Sequence, residues 1–276
     1  MTQHDGAVTK TTWSPLERAL GLAMWVPGTA WITGLMGSLM LAQRFFDAER
    51  VEWLTRIYTK GQINVLGTRM SYVVHPDVDP NRPYMFVQNH VNMLDHCTVY
   101  NATPHFKQGV ELATHFEVPV YGWFMKQRGT IPVYRDGSVR DNYTKLMDSV
   151  RAEVHKGHSI LVFPEGTRTR DGRVGAFRTG LLRIAHALDI PIVPVAVTGM
   201  FEVMRKGEPY IHPGRHVTVY VERPVETKSF AKHELPKLVE QVKRTISDRV
   251  DAYYEQRGEP RKAQKKLDDP PSLRRA

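Results

Sequence analysis

The sequence predicts an α/β fold, a mixed central sheet flanked by helices, preceded by an N-terminal apolar helical membrane-docking segment. Three observations predict it. Short β-branched or aromatic runs alternate with helix-period patterns through the middle of the chain. One N-terminal stretch of 25 residues, Ala19 to Gln43, carries no charge. The 276 residues are 41% apolar and 24% charged, which suits one large core and excludes a collagen-like, low-complexity or wholly disordered chain.

The uncharged stretch is long enough to cross a bilayer as a helix. Pro27-Gly28 stands near its middle, so it reads as one kinked span or as two short helices that enter a single leaflet and return. Trp13, Trp25 and Trp31 suit an interfacial depth, where the indole N–H stays wet. A secretory signal fits less well, because it wants a shorter apolar region and a small-residue cleavage site. A buried hairpin of a soluble protein would be unusually apolar. Lys10 and Arg18 precede the stretch and Arg44, Arg50, Arg56 and Lys60 follow it. Under either reading the following domain lies on the cytoplasmic face of the (inner) membrane.

Phe46–Tyr58 reads as an amphipathic helix, with Val51, Leu54, Ile57 and Tyr58 at helical spacing. The spacing predicts strands over Ile63–Leu66, Ser71–Val74, Met85–Gln88, Gly129–Tyr134, Ile160–Phe163, Ile192–Val197 and Val217–Val221. It predicts helices over Val139–Val154, Gly180–Leu188 and Leu235–Tyr254. The chain therefore divides into residues 1–44, a tail and membrane-associated helix or hairpin; 45–255, the α/β domain; and 256–276, a basic disordered tail. That last segment holds seven basic and three acidic residues, four units of the net charge of +9.

The basic surplus admits nucleic acid, phosphorylated metabolites or an acidic membrane face as partner. One cysteine, Cys97, excludes an internal disulfide and by itself supplies no thiolate zinc site.

Four segments carry chemistry. Asn89-His90-Val91-Asn92-Met93-Leu94-Asp95 directly follows the expected strand Met85–Gln88. A neutral histidine takes a proton near pH 7, and works best when a carboxylate fixes its tautomer. Five residues along a regular helix set two side chains about 140° apart, so pairing His90 with Asp95 needs a strand end turning into a helix start. Taken alone, such a pair is also a common surface accident. Phe163-Pro164-Glu165-Gly166-Thr167-Arg168 ends another strand, where Pro164 and Gly166 force a turn and Arg168 can fork onto a phosphate. A plain salt-bridged turn explains it equally well. Soon after, Phe177-Arg178-Thr179-Gly180 introduces a helix whose first N–H groups offer a second anion site. Gly129–Arg135 alone reads as an edge strand with a charged end, and Ile192–Val197 as a core strand.

In chain order and at these spacings, Asn89–Asp95, Gly129–Arg135, Phe163–Arg168 and Val193-Pro194-Val195 resemble the four blocks of the glycerophospholipid acyltransferase family, whose best-known members are 1-acylglycerol-3-phosphate acyltransferases. The resemblance spans roughly Tyr84 to Gly199, and its most specific piece is the run Phe163–Arg168. It implies His90 as general base toward the free hydroxyl of a lysophospholipid and Asp95 as its orienting partner. Acyl-CoA or acyl carrier protein would be the co-substrate, attacked directly without an acyl-enzyme, with no metal or other cofactor. Arg135, Glu165, Gly166, Thr167 and Arg168 would hold the acceptor, most simply 1-acylglycerol 3-phosphate, giving phosphatidic acid. A different lysophospholipid or aminolipid acceptor, and a non-catalytic lipid-binding protein on the same fold, are the alternatives. Two positions depart from the family's pattern: Pro132 in the second block, and Val91-Asn92 after the histidine.

Rival readings fit less of the chain. A metal-dependent hydrolase would want histidines where Val91 and Met93 stand. A Cys97 nucleophile would lie just past the strand–helix junction, facing the core. A nucleic-acid module would show a zinc pattern, a helix-turn-helix or an aromatic-interleaved basic strand. The expected partners are therefore membrane lipid and an acyl thioester.

Overall fold

The computed structural model describes residues 13–259. It opens on helix α1 (Pro15–Ala23), whose N-terminus is closed by a reciprocal cap between Ser14 and Glu17. Helix α2 (Trp25–Ala42) follows after Met24 alone. Pro27 lacks an N–H and so leaves the Ala23 carbonyl without its helical donor, which places the break at Met24. Gly28 N–H still reaches the Met24 carbonyl at 3.2 Å, and the helical path runs on instead of turning back at Pro27-Gly28. Pro15–Ala42 is 28 residues long with a mean hydropathy of 1.3, long and apolar enough to cross a membrane.

One side of this helix lies on the domain. Trp25 Nε1 donates to the Pro209 carbonyl at 2.6 Å, Trp31 Nε1 to the Tyr58 carbonyl at 3.1 Å, and the Met40 carbonyl accepts from Gln127 Nε2 at 2.8 Å. The outward side exposes Leu16, Leu20, Leu22, Val26 and Leu41.

Helix α3 (Glu52–Val65) packs beneath α2. The sequence predicts a strand over Ile63–Leu66; the structure instead carries the helix through Val65. Thr55, Tyr58, Thr59, Gln62, Ile63 and Leu66 are all buried at helical spacing, and the polar members of that stripe hide its period from the sequence.

The rest is a seven-stranded sheet built from β1 (Arg69–Val74), β2 (Met85–Gln88), β3 (Lys107–Leu112), β4 (Ile131–Val133), β5 (Ser159–Val162), β6 (Ile192–Thr198) and β7 (His216–Val221). Their spatial order is β1-β7-β6-β2-β5-β3-β4. Neighbours from β6 to β4 pair parallel; β7 runs antiparallel to β6, and β1 parallel to β7, so the sheet is mixed. Strand β3 escapes sequence reading because Lys-Gln-Gly-Val-Glu-Leu has no β-branched run; the slot between β5 and β4 makes it a strand. Pro132 lies in β4, whose outer edge has no partner among the described residues, so the missing N–H costs no ladder bond.

Connections supply α4 (His96–Val99), α5 (Tyr121–Arg128), α6 (Val139–His155), α7 (Gly180–Ala187), α8 (Met200–Val203) and α9 (Leu235–Glu255). The central strand β2 is buried along its length: Phe86 faces a core shared with α2, α3 and α4, while Met85 and Val87 face one shared with α6, α7 and α9. Burial on both faces is what a parallel strand in a helix-covered sheet requires.

Beneath α3 one lysine is wholly enclosed. Lys107 Nζ donates to the carbonyls of Thr103 and His105 at 3.3 and 3.0 Å, and Arg56 donates to the same two at 3.0 and 3.2 Å. Burial, reinforced by Arg56, pulls the Lys107 ammonium down to about 7. Of the tail expected over 256–276, the first four residues are ordered on the end of α9, with Glu259 N–H donating to the Tyr254 carbonyl at 2.9 Å; residues 260–276, and Lys10, lie outside the described residues.

Candidate active site

The loop after β2 is fastened before it presents its histidine. The Asn89 side chain donates to the Val197 carbonyl at 3.0 Å and accepts from Val197 N–H at 2.8 Å, extending the β2–β6 ladder by one side chain. Asn92 Nδ2 reaches the Met200 carbonyl at 2.9 Å, and its Oδ1 accepts from Leu94 N–H at 2.8 Å. Val91 and Asn92 are buried, so this departure from the family pattern packs inward.

His90 Nδ1 lies 2.8 Å from Asp95 Oδ2. Asp95 directly precedes α4, so the strand-to-helix turn makes the pairing that a regular helix would prevent. The same Oδ2 accepts from the backbone N–H groups of Val91 and Asn92. Asp95 is 1% exposed. Burial raises its carboxyl above the usual range, while the His90 bond and the two backbone donors pull it back. An acceptor at Nδ1 puts the imidazole proton there and leaves the Nε2 lone pair free. The ring stacks on Phe163, with centroids 4.5 Å apart.

The turn after β5 clamps the same histidine from the other side. Glu165 Oε1 accepts from His90 N–H at 2.8 Å, and Oε2 accepts from Gly175 N–H at 2.8 Å. Thr169 N–H donates to the His90 carbonyl at 2.8 Å. Both peptide groups of His90 are thus held by residues 165–169. Gly175 has no room for a side chain, since a Cβ would come within 2.9 Å of Glu165 Oε2. Gly166 sits at φ +62°, and a Cβ there would meet Arg178 Nε at 2.6 Å. Burial raises the Glu165 carboxyl, against the two N–H bonds that lower it.

The sequence reading groups Arg135, Glu165, Gly166, Thr167 and Arg168 around a ligand. The structure brings together the last four, with Gly166 and Thr167 exposed at the tip of the turn. Glu165 faces backbone instead of an open site, and forms no salt bridge with Arg168. Arg135 follows β4, on the same sheet edge but two strands from β5; with Tyr134, Val139 and Tyr143 it lines a separate cleft of about 160 Å³. Helix α7 begins at Gly180 as its motif suggests, without a side-chain cap.

The contacts of two residues at the site escaped the sequence reading. Lys206, just past α8, donates to Thr167 Oγ1 at 2.8 Å and to the Arg168 carbonyl at 3.1 Å. Phe163 was visible only as the start of its motif, not as a platform for the imidazole. Cys97 is fully buried, and burial pushes its thiol far above the usual range. Among the described residues no group of three or more His, Cys, Asp or Glu is placed to hold a metal.

Residues 62–198 match the family described as Acyltransferase. The chain is 33% identical over 145 residues to a chloroplastic 1-acyl-sn-glycerol-3-phosphate acyltransferase of Brassica napus, covering 52% of this chain and 41% of that protein. It is 28% identical over 173 residues to the 1-acyl-sn-glycerol-3-phosphate acyltransferase of Saccharomyces cerevisiae, covering 60% and 55%. The chain spans about two-fifths of the length of the first such relatives. The fold resembles the crystal structure of the 1-acyl-sn-glycerophosphate acyltransferase PlsC from Thermotoga maritima, with a TM-score of 0.68 at 21% identity over 86% of this chain and 97% of that one.

Proposed function

The chain belongs to the acyltransferase family through residues 62–198, and on that premise we propose that it acylates the free hydroxyl of a lysophospholipid, 1-acylglycerol 3-phosphate above all. The observation that carries the reading is the His90–Asp95 pair, with Nε2 unengaged, seated against a turn whose arginine has no ion pair among the described residues.

In this reading His90 Nε2 takes the proton of the acceptor hydroxyl as its oxygen attacks the thioester carbonyl of acyl-CoA or acyl carrier protein. Asp95 stabilises the imidazolium that forms and keeps the proton on Nδ1. The tetrahedral intermediate collapses with loss of the thiolate, which receives the proton from Nε2. A thioester is activated enough for one base and a stabilised oxyanion to suffice. The acceptor phosphate lies against the turn 165–168.

The acceptor is an amphiphile, and the exposed side of α1–α2 suits a bilayer surface. Because the opposite side lies on the domain, we place the helix pair and the site on one membrane face, the cytoplasmic one by the flanking cations.

The test is a donor–acceptor panel on the purified protein in detergent, read by mass spectrometry, beside His90→Ala. Acyl transfer to 1-acylglycerol 3-phosphate by the wild type and its loss in the variant are expected. Transfer at the wild-type rate by His90→Ala would remove the base assignment.

A further inference from the structure

The turn 165–168 and the N-terminal helices are bridged by one loop, residues 204–215. Its far end is pinned to the helices: Ile211 N–H donates to the Gly21 carbonyl at 3.1 Å, Trp25 Nε1 binds the Pro209 carbonyl, and His212 stacks on Trp13 with centroids 3.8 Å apart. Its near end carries Lys206. An ammonium has three donors; two of these are spent on Thr167 Oγ1 and the Arg168 carbonyl, and among the described residues the third has no partner. The peptide joining Arg168 to Thr169 accepts from Lys206 at its carbonyl and donates to the His90 carbonyl at its N–H. A single peptide unit therefore separates this cation from the backbone of the base.

Around it the carboxylates are engaged and three cations are not: Glu208, two residues on, pairs with Arg205 at 3.8 Å. Lys206, Arg168 and Arg178 form no ion pair among the described residues. The nearest carboxylate on the turn, Glu165, has both oxygens on backbone N–H groups, and Asp171 Oδ1 accepts from Thr169 Oγ1 and Arg173 N–H. A phosphomonoester dianion meets three unpaired cations here, whereas the ammonium of a zwitterionic headgroup would meet carboxylates that are already engaged.

We propose that Lys206 binds the acceptor's phosphate, and that it sets a preference for phosphomonoester over zwitterionic lysophospholipids. The assignment rests on the acyltransferase reading above. The loop's attachment to α1–α2 fixes the ammonium beside the turn before the ligand arrives.

The test uses the full-length protein in detergent, as wild type, Lys206→Met and Lys206→Arg. Binding of sn-glycerol 3-phosphate is followed by ³¹P NMR titration, which needs no turnover, and KM and kcat are measured with 1-acylglycerol 3-phosphate. Lys206→Met is expected to weaken binding and raise the acceptor KM by roughly 10- to 100-fold, the loss falling on KM, with Lys206→Arg recovering most of it. If Lys206 only braced the turn, Lys206→Met would lower kcat and leave glycerol 3-phosphate binding unchanged, which overturns the proposal. A wild type that does not bind glycerol 3-phosphate overturns it too. A wild type that binds it through Lys206 but transfers no acyl group sinks the activity and leaves the phosphate site standing. A protein that transfers acyl groups with the same acceptor KM in Lys206→Met does the reverse.

Discussion

Glu165→Gln separates two tasks for one carboxylate: holding the acceptor, as the family resemblance implies, or holding His90, as its geometry suggests. The carboxylate accepts one N–H on each oxygen, from His90 and from Gly175. Glutamine has one acceptor oxygen and one donor group, so it satisfies one of these and sets N–H against N–H at the other. Gly175 is exposed and His90 is not, so the amide oxygen stays with His90 and water takes over part of the second bond. A lost charge-assisted bond with such partial compensation costs about 1.5–2 kcal/mol. Alanine removes both acceptors, raising the cost to about 3 kcal/mol, since relief of a buried charge offsets some of the loss. Displacing the base by about 1 Å slows transfer by on the order of 10²-fold whatever the acceptor. Urea unfolding followed by tryptophan fluorescence measures the first quantity, and kcat across an acceptor panel the second. An unchanged urea midpoint together with a raised KM confined to phosphate-bearing acceptors would refute this reasoning and return Glu165 to the ligand.

Asp95→Asn should fold, because its amide oxygen can keep the three bonds made at Oδ2 while the amide nitrogen takes the place of the unpartnered Oδ1. With the tautomer held but the charge gone, kcat should fall on the order of 10²- to 10³-fold, and a loss below tenfold would deny Asp95 its electrostatic role. Lys107→Met tests a buried ammonium. Its folded pKa of about 7 lies below the unfolded value, so between the two the unfolded chain holds the extra proton and stability rises with pH. From pH 7 to 9 the wild type should gain about 2 kcal/mol relative to Lys107→Met, and parallel pH–stability curves would show that Lys107 is not so perturbed. Serine at Leu20, Leu22 and Val26 together should weaken binding to anionic vesicles severalfold without moving the unfolding midpoint, since all three side chains face outward. Undiminished vesicle binding would shift the membrane contact elsewhere.

The sequence reached the strand that matters most. Met85–Gln88 is a short apolar run bounded by a turn, and the structure starts and ends β2 on those residues. Ile63–Leu66 was just as apolar and proved helical. A four-residue run has no period of its own, and burial of Thr59 and Gln62 beside it decided the matter. At the site, the pairing of His90 with Asp95 was legible because a strand end turning into a helix start brings such a spacing together, and the two side chains do meet. The partners of Glu165 were not, since its bonds to the His90 and Gly175 N–H groups join segments far apart in sequence.

By itself the sequence determined the features that local order dictates: the alternation that builds a mixed α/β sheet, the uncharged helix at its start, and which residue types stand at the ends of β2 and β5. Tertiary structure alone decided which of them meet. Lys206 lies 39 positions from Thr167 yet touches it, because the turn after α8 folds back across the sheet edge. His90 is held at its N–H and carbonyl by a turn 75 residues away in sequence, because β2 and β5 are neighbours. Hydrophobic period fixes elements over ten or twenty residues, whereas hydrogen bonds and charge are satisfied over a few ångströms of space, and only the folded chain relates those two scales.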